Sequence, residues 1–230
     1  MGKSKGILYG VSTGPGDPEL MTIKAVRCLE RCEVIAAPRT RGRNSMALDI
    51  VKRIIDIDNK VIIYLDFTMS KDKSILFESH KKEAALIEEY LQKGIDVAML
   101  NIGDAALYGP FGYIRDIVEM DGYKTNTIAG VTSFSAVAAE LGQSLTEAQK
   151  PLTIIPGAYG QVENLLGQDG TKVIMKSGRA LSEVKKILAD KNMIEEASMV
   201  ANCGLDNQRV YQNISQSADD EGYFVTILVR

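Results

Sequence analysis

An alternation bears hardest on what this chain can fold into: short runs apolar from end to end, each followed by a stretch with helical periodicity. Ile7-Leu8-Tyr9, Val34-Ile35-Ala36-Ala37, Val61-Ile62-Ile63-Tyr64-Leu65 and Val97-Ala98-Met99-Leu100 are such runs. A strand apolar on both faces must be covered on both, and strands separated by helices run parallel. Ile23, Val26 and Leu29 recur at helical spacing and set a first helix from Pro18 or Thr22 to Cys32. Ser45 caps a second helix bearing Leu48, Val51 and Ile55. Asp72 to Lys93 reads as a long charged helix with Leu76, Ile87 and Leu91 inward, stopped by Gly94. The N-terminal part is therefore expected to be α/β, a parallel sheet with helices on both faces.

Glycine turns stand where these strands end. The first, Gly10-Val11-Ser12-Thr13-Gly14-Pro15-Gly16-Asp17-Pro18-Glu19-Leu20, joins strand to helix. At the carboxyl edge of an α/β sheet such a turn lies where ligands bind. A dinucleotide fingerprint would need G-x-G-x-x-G, and a Walker loop Gly-Lys-Ser/Thr. The glycines here read G-x-x-x-G-x-G, and Gly16 is followed by Asp17-Pro18, an acid that would repel phosphate. Asp17 and Pro18 also suit a plain βα turn, as helix N-cap and first helical residue. A second turn, Asn101-Ile102-Gly103-Asp104-Ala105-Ala106-Leu107-Tyr108-Gly109, follows the fourth strand, with a helix from Phe111 to Glu119 behind it. Thr127-Ile128-Ala129-Gly130-Val131-Thr132-Ser133 is a third strand-to-turn junction, followed by a small-residue helix from Ser135 to Leu141.

Beyond Gln143 the texture changes. Leu152 to Pro156, Lys172 to Met175, Ser198 to Ala201 and Tyr223 to Val229 are short strands, separated by two clear helices, Val162 to Leu166 and Leu181 to Asp190. The last strands are joined by polar, turn-rich sequence of the hairpin kind. The reading is two domains, 1–122 of α/β type and 123–230 of α+β type with a mixed sheet, the boundary falling near Asp121 to Lys124.

Composition narrows the function. With 230 residues and a net charge of −3, the chain lacks the basic excess of a general nucleic-acid binder. No apolar run approaches the roughly 20 residues of a membrane span, and Met1-Gly2-Lys3-Ser4-Lys5 leads into a run too short for a signal-peptide core, so cytosol is the expected location. Cys28, Cys32 and Cys203 form no C-x-x-C pair and read as reduced core thiols. The single histidine, His80, lies in a Lys- and Glu-rich helix and is expected at the surface. No zinc site, no other protein-bound metal and no Ser-His-Asp triad is expected.

Taken together, five ordered elements resemble the tetrapyrrole methylase family of S-adenosylmethionine-dependent enzymes, over nearly the whole chain. They are Gly14 to Thr22, the Gly103-Asp104 turn, Gly130-Val131-Thr132-Ser133-Phe134-Ser135, Val173-Ile174-Met175-Lys176-Ser177-Gly178-Arg179, and the terminal Tyr223 to Val229 strand. Ala36-Ala37-Pro38 and Met175-Lys176-Ser177-Gly178-Arg179 are most similar to the branch that methylates C-20 of precorrin-2 or cobalt-factor II in cobalamin biosynthesis. Two residues depart from the family pattern: Ala105 replaces a proline in the second turn, and Ala129 replaces one in the third. Both changes remove backbone stiffness.

The resemblance implies a two-domain methylase fold, with S-adenosylmethionine held in a cleft between the domains and S-adenosylhomocysteine released. Donor contacts carried over are Pro15, Ile102, Gly103, Asp104, Leu107, Thr132, Ser133, Lys176 and Cys203. Transfer from a sulfonium to carbon needs nucleophile, methyl and sulfur in line, so positioning is the main lever. The positive charge on sulfur disappears as the methyl leaves. Neutral carbonyls therefore line such a site better than a carboxylate held against sulfur.

The implied acceptor is a flat macrocycle bearing many carboxylates, and an acidic protein needs a local cationic lining to hold it. Arg39, Arg41 and Arg43 follow the second strand: they are either a carboxylate cradle or a solvated basic loop. No general base announces itself; Asp17 and Tyr108 stand near the turns should one be needed. The resemblance also implies a homodimer, while the charge and the lack of a long apolar run leave no nucleic-acid or membrane partner expected. A sister methylase acting at another ring carbon and a non-catalytic module binding donor or corrinoid are the rival readings.

Overall fold

A computed structural model describes residues 4–39, 44–68, 70 and 72–230. The chain divides into two compact units, Met1–Thr132 and Ser133–Arg230.

In the first unit the apolar runs pair as parallel strands. They are β1 (Ile7–Ser12), β2 (Val34–Arg39), β3 (Val61–Asp66) and β4 (Val97–Asn101), joined by β5 (Lys124–Ile128) in the order β3-β2-β4-β1-β5. The period of two sorts their side chains. Ile35, Ala37, Ala98 and Leu100 face one core with helices α1 (Ile23–Arg31) and α2 (Met46–Lys52). Val34, Ala36, Val97 and Met99 face a second core with α3 (Lys73–Leu91) and α4 (Phe111–Met120). β2 and β4, covered on both sides, have no polar face, which is why their runs read as uniformly apolar, whereas β3 at the sheet edge leaves Val61 and Tyr64 exposed.

Capping fixes where the helices begin. Thr22 accepts from Ala25 N, Ser45 from Leu48 N and Asp72 from Ser74 N. Pro18–Leu20 is a separate 3-10 turn rather than the start of α1. β5 hydrogen-bonds to β1 from Ile7↔Lys124 to Val11↔Ile128, so the first unit runs past 122 and ends at Thr132. His80 is buried rather than solvated: it stacks on Tyr113 at 4.8 Å and meets Phe67 at 5.7 Å. Burial pushes its pKa down. Cys28 and Cys32 pack one turn apart in the core, with sulfurs 4.0 Å apart.

The second unit holds α5 (Ser133–Leu141), α6 (Val162–Leu166), α7 (Leu181–Asp190) and a mixed sheet. Its strands are β6 (Leu152–Pro156), β7 (Thr171–Met175), β8 (Ala197–Ala201), β9 (Arg209–Tyr211) and β10 (Val225–Val229), in the order β6-β7-β10-β8-β9. β6 and β7 are parallel, while β10 runs antiparallel to both β7 and β8. The carboxyl ends of β6, β7 and β8 therefore share one edge. β10 starts at Val225 rather than Tyr223, and Asn202 N donating to Phe224 O at 2.7 Å carries its pairing with β8 one residue beyond the strand.

Candidate active site

In the first unit, the chain leaves β1 toward the face carrying α1 and leaves neighbouring β4 toward the face carrying α4. That divergence opens a crevice at the carboxyl edge. Across it the two glycine turns are stitched together: Gly103 N donates to Gly14 O at 2.7 Å and Thr13 N to Asn101 O at 2.9 Å. Pro15 is thereby brought beside the Ile102-Gly103-Asp104 turn.

Asp104 ties this turn to the one after β5. Its Oδ2 accepts from Gly130 N at 2.7 Å and its Oδ1 from Ala106 N at 2.8 Å. Hydrogen bonds from neutral donors to a carboxylate contribute about 1.5–3 kcal/mol each, so the half-buried side chain is a strong clamp. A Cβ at residue 130 would sit 2.3 Å from Ser12 Cβ, so only glycine allows the approach. Asn101, buried at the end of β4, shapes the turn from beneath, its Nδ2 donating to Ile102 O at 3.0 Å and Asp104 O at 3.2 Å. Ser12 Oγ donates to Ile128 O at 2.6 Å and accepts from Ala105 N at 2.8 Å. Ser12 and Asn101 escaped the sequence reading because each looks like an ordinary strand-end residue.

The residues expected from sequence fall into three groups. Pro15, Ile102, Gly103, Asp104 and Leu107 gather at this crevice, and Thr132 closes the same unit three residues after Ala129. Ser133 is the first residue of α5, and its Oγ is buried with no hydrogen-bond partner among the described residues. Lys176 and Cys203 share the carboxyl edge of the second sheet, just past β7 and β8. Lys176 adopts φ +57°, and burial pushes its ammonium pKa down. Asn202, before the buried Cys203, adopts φ +53°.

Arg39 ends β2 and is held by Asp66, with Nε to Oδ1 and Nη2 to Oδ2 both at 2.9 Å, while the guanidinium lies 4.7 Å from the centre of the Tyr64 ring. Arg41 and Arg43 lie outside the described residues. Asp17 is occupied as an N-cap, accepting from Glu19 N at 2.9 Å. Tyr108 is half exposed and held at φ +51°, an uncommon backbone state for an aromatic residue.

The crevice suits an uncharged or cationic guest with hydrogen-bonding ends. Among the described residues, no atom outside its two chain neighbours lies within 4 Å of where a Cβ on Gly103 would be, and this glycine has φ +73°. The turn thus offers bare backbone and open space beside the apolar Ile102 and Leu107. These features fit an adenosyl sulfonium. Among the described residues no three His, Cys, Asp or Glu side chains gather as metal ligands would, and no helix is long and apolar enough to cross a membrane.

A parallel sheet carrying tied glycine turns, followed by a mixed-sheet unit, defines a class that comparison with known proteins identifies. Residues 7–218 match the model of the Tetrapyrrole (Corrin/Porphyrin) Methylases. The chain belongs to this family of methyltransferases. It is 29% identical to the Precorrin-2 C(20)-methyltransferase of a Sinorhizobium species, covering 99% of this chain and 96% of that protein. It is also 29% identical to the Cobalt-precorrin-2 C(20)-methyltransferase of Salmonella typhimurium, covering 98% and 96%. The fold recurs in a Uroporphyrin-III C-methyl transferase from Thermus thermophilus complexed with S-adenyl homocysteine, with a TM-score of 0.70 at 20% identity over 97% of this chain and 92% of that one.

Proposed function

We propose that this chain transfers the methyl group of S-adenosylmethionine to C-20 of precorrin-2 or its cobalt form, in cobalamin biosynthesis. The observation that carries the reading is the likeness, over almost the full length of each chain, to two relatives named for that reaction. S-adenosylmethionine supplies an electrophilic methyl on a sulfonium when bound. The turns bearing Pro15, Ile102, Gly103, Asp104, Leu107 and Thr132 bind and orient that donor, with Ser133, Lys176 and Cys203 as further contacts. The support is the open space at Gly103, the Ser133 hydroxyl that has no partner among the described residues, and the resemblance of these positions to the family pattern.

The acceptor's carboxylates meet Arg39, Arg41 and Arg43. Two of the five N–H groups of Arg39 are engaged by Asp66, and the other three have no hydrogen-bond partner among the described residues. The ring makes its own meso carbon nucleophilic, so Asp17 and Tyr108 need not act as bases. The resemblance supports a homodimer, and the sequence reading supports a cytosolic enzyme with no resident metal and no nucleic-acid partner.

The test is incubation of purified protein with isotopically labelled donor and, in turn, precorrin-2, its cobalt form and uroporphyrinogen III. The expected result is one labelled methyl at C-20 of the first or second acceptor. Label at a different carbon would make the protein a sister methylase, and donor binding without transfer would make it a binding module.

A further inference from the structure

Ser12 has no role in the reading above, yet three turns meet at its hydroxyl. It is the last residue of β1 and is 0% exposed. A serine hydroxyl has one proton to give and lone pairs to receive with. Here the proton goes to Ile128 O at the end of β5, which fixes the rotor and presents the lone pairs to Ala105 N in the turn after β4. That second bond requires an N–H at residue 105. Proline, the residue of the family pattern there, has none, whereas alanine supplies it. The departure at Ala105 is thus matched by a buried acceptor 2.8 Å away.

We propose that Ser12 is a positioning residue for the methyl donor. By joining Ala105 to Ile128 it sets the Ile102 to Leu107 turn against the turn that begins at Ala129. This inference rests on the reading of those turns as the donor site. Asp104 clamps the same two turns through Gly130 N at 2.7 Å. The pair of ties allows the turn little freedom, so loss of the buried one moves the backbone that faces the donor. Removing one partner leaves a buried polar group unsatisfied, while removing both costs much less than the two losses together.

The test is a double-mutant cycle with Ser12→Ala and Ala105→Pro, read as adenosylhomocysteine affinity by calorimetry alongside the KM of the tetrapyrrole. Each single change is expected to weaken adenosylhomocysteine binding about tenfold, the equivalent of one buried hydrogen bond. The double variant is expected to stay near the same tenfold, and the acceptor KM to hold within about twofold of wild type by the same arithmetic. Single variants that bind like wild type, or a double variant showing the full product of the two losses, would overturn the role of Ser12. Wild-type protein that does not bind adenosylhomocysteine would refute the donor reading itself, and the role with it. Should the variants fail to fold, amide exchange at Ala105 in wild-type protein decides: protection comparable to the strand amides is expected, and free exchange overturns the proposal.

Discussion

Arg39 shows how a residue's neighbours revise what its type promises. The sequence places a guanidinium just after a strand end, which reads equally as a carboxylate cradle or a solvated loop. The structure adds Asp66 in bidentate contact and Tyr64 beneath the guanidinium, so the group is already oriented. Arg39→Ala is expected to raise the acceptor KM several-fold, the size of a partly exposed charge contact, and to leave the donor KM unchanged. Steady-state kinetics varying each substrate in turn checks this, and equal KM values in variant and wild type would remove the role. Glu88 on α3 is a second case. Burial first, then the charge and hydrogen bond of Asp121, raise its pKa from 4.5 to about 7, with Lys5 opposing. The folded form therefore keeps a proton that the unfolded chain has released. Its contribution is full below pH 4.5 and is lost as the pH rises through about 7. Glu88→Gln should raise Tm above wild type more at about pH 8 than at about pH 5, the two sides of that window. Calorimetry at both values measures the difference, and an equal effect at each would contradict the assignment.

At the scale of elements, what could be read from sequence was what burial dictates. β1, β2 and β4 announced themselves because both their faces are covered, and α1, α2 and α3 because Thr22, Ser45 and Asp72 cap them. β5 was seen only at its end: Lys124-Thr125-Asn126-Thr127 carries polar residues because it lies at the sheet edge with half its side chains exposed or nearly so. β9, three residues of mostly exposed sequence, is too short for Val210 and Tyr211 to stand out as a strand. The glycine turns were legible as turns, but their mutual ties were not, because Ser12, Ala105 and Gly130 are far apart in sequence. Asp104 is the element-scale tie with the sharpest consequence. Asp104→Ala removes both acceptors and should weaken adenosylhomocysteine binding by roughly 10- to 100-fold, while Asp104→Asn, which keeps one, should fall between. Isothermal titration of both variants would check the order, and alanine binding as well as wild type would rule out the clamp.

At the scale of the whole molecule, two sheets of different construction sit in one chain. The parallel one buries both faces and puts its variable chemistry into loops at one edge, the usual arrangement by which a rigid sheet carries function. The mixed one puts Lys176 and Asn202-Cys203 at the shared ends of β7 and β8, two sites where non-glycine residues hold a left-handed backbone. Such strain is kept where the surrounding structure fixes it, and clusters where function does. The second half of the chain was legible as α+β from its short strands, yet its strand order was not, since an antiparallel β10 between β7 and β8 leaves no local mark. The central claim is that the turns after β1, β4 and β5 hold the methyl donor. The most direct measurement is a crystal structure of the protein with adenosylhomocysteine. The account predicts the ligand against Ile102-Gly103-Asp104 and Thr132, with Ser12 buried unchanged beneath them. A ligand bound elsewhere on the chain, with those turns untouched, would contradict it.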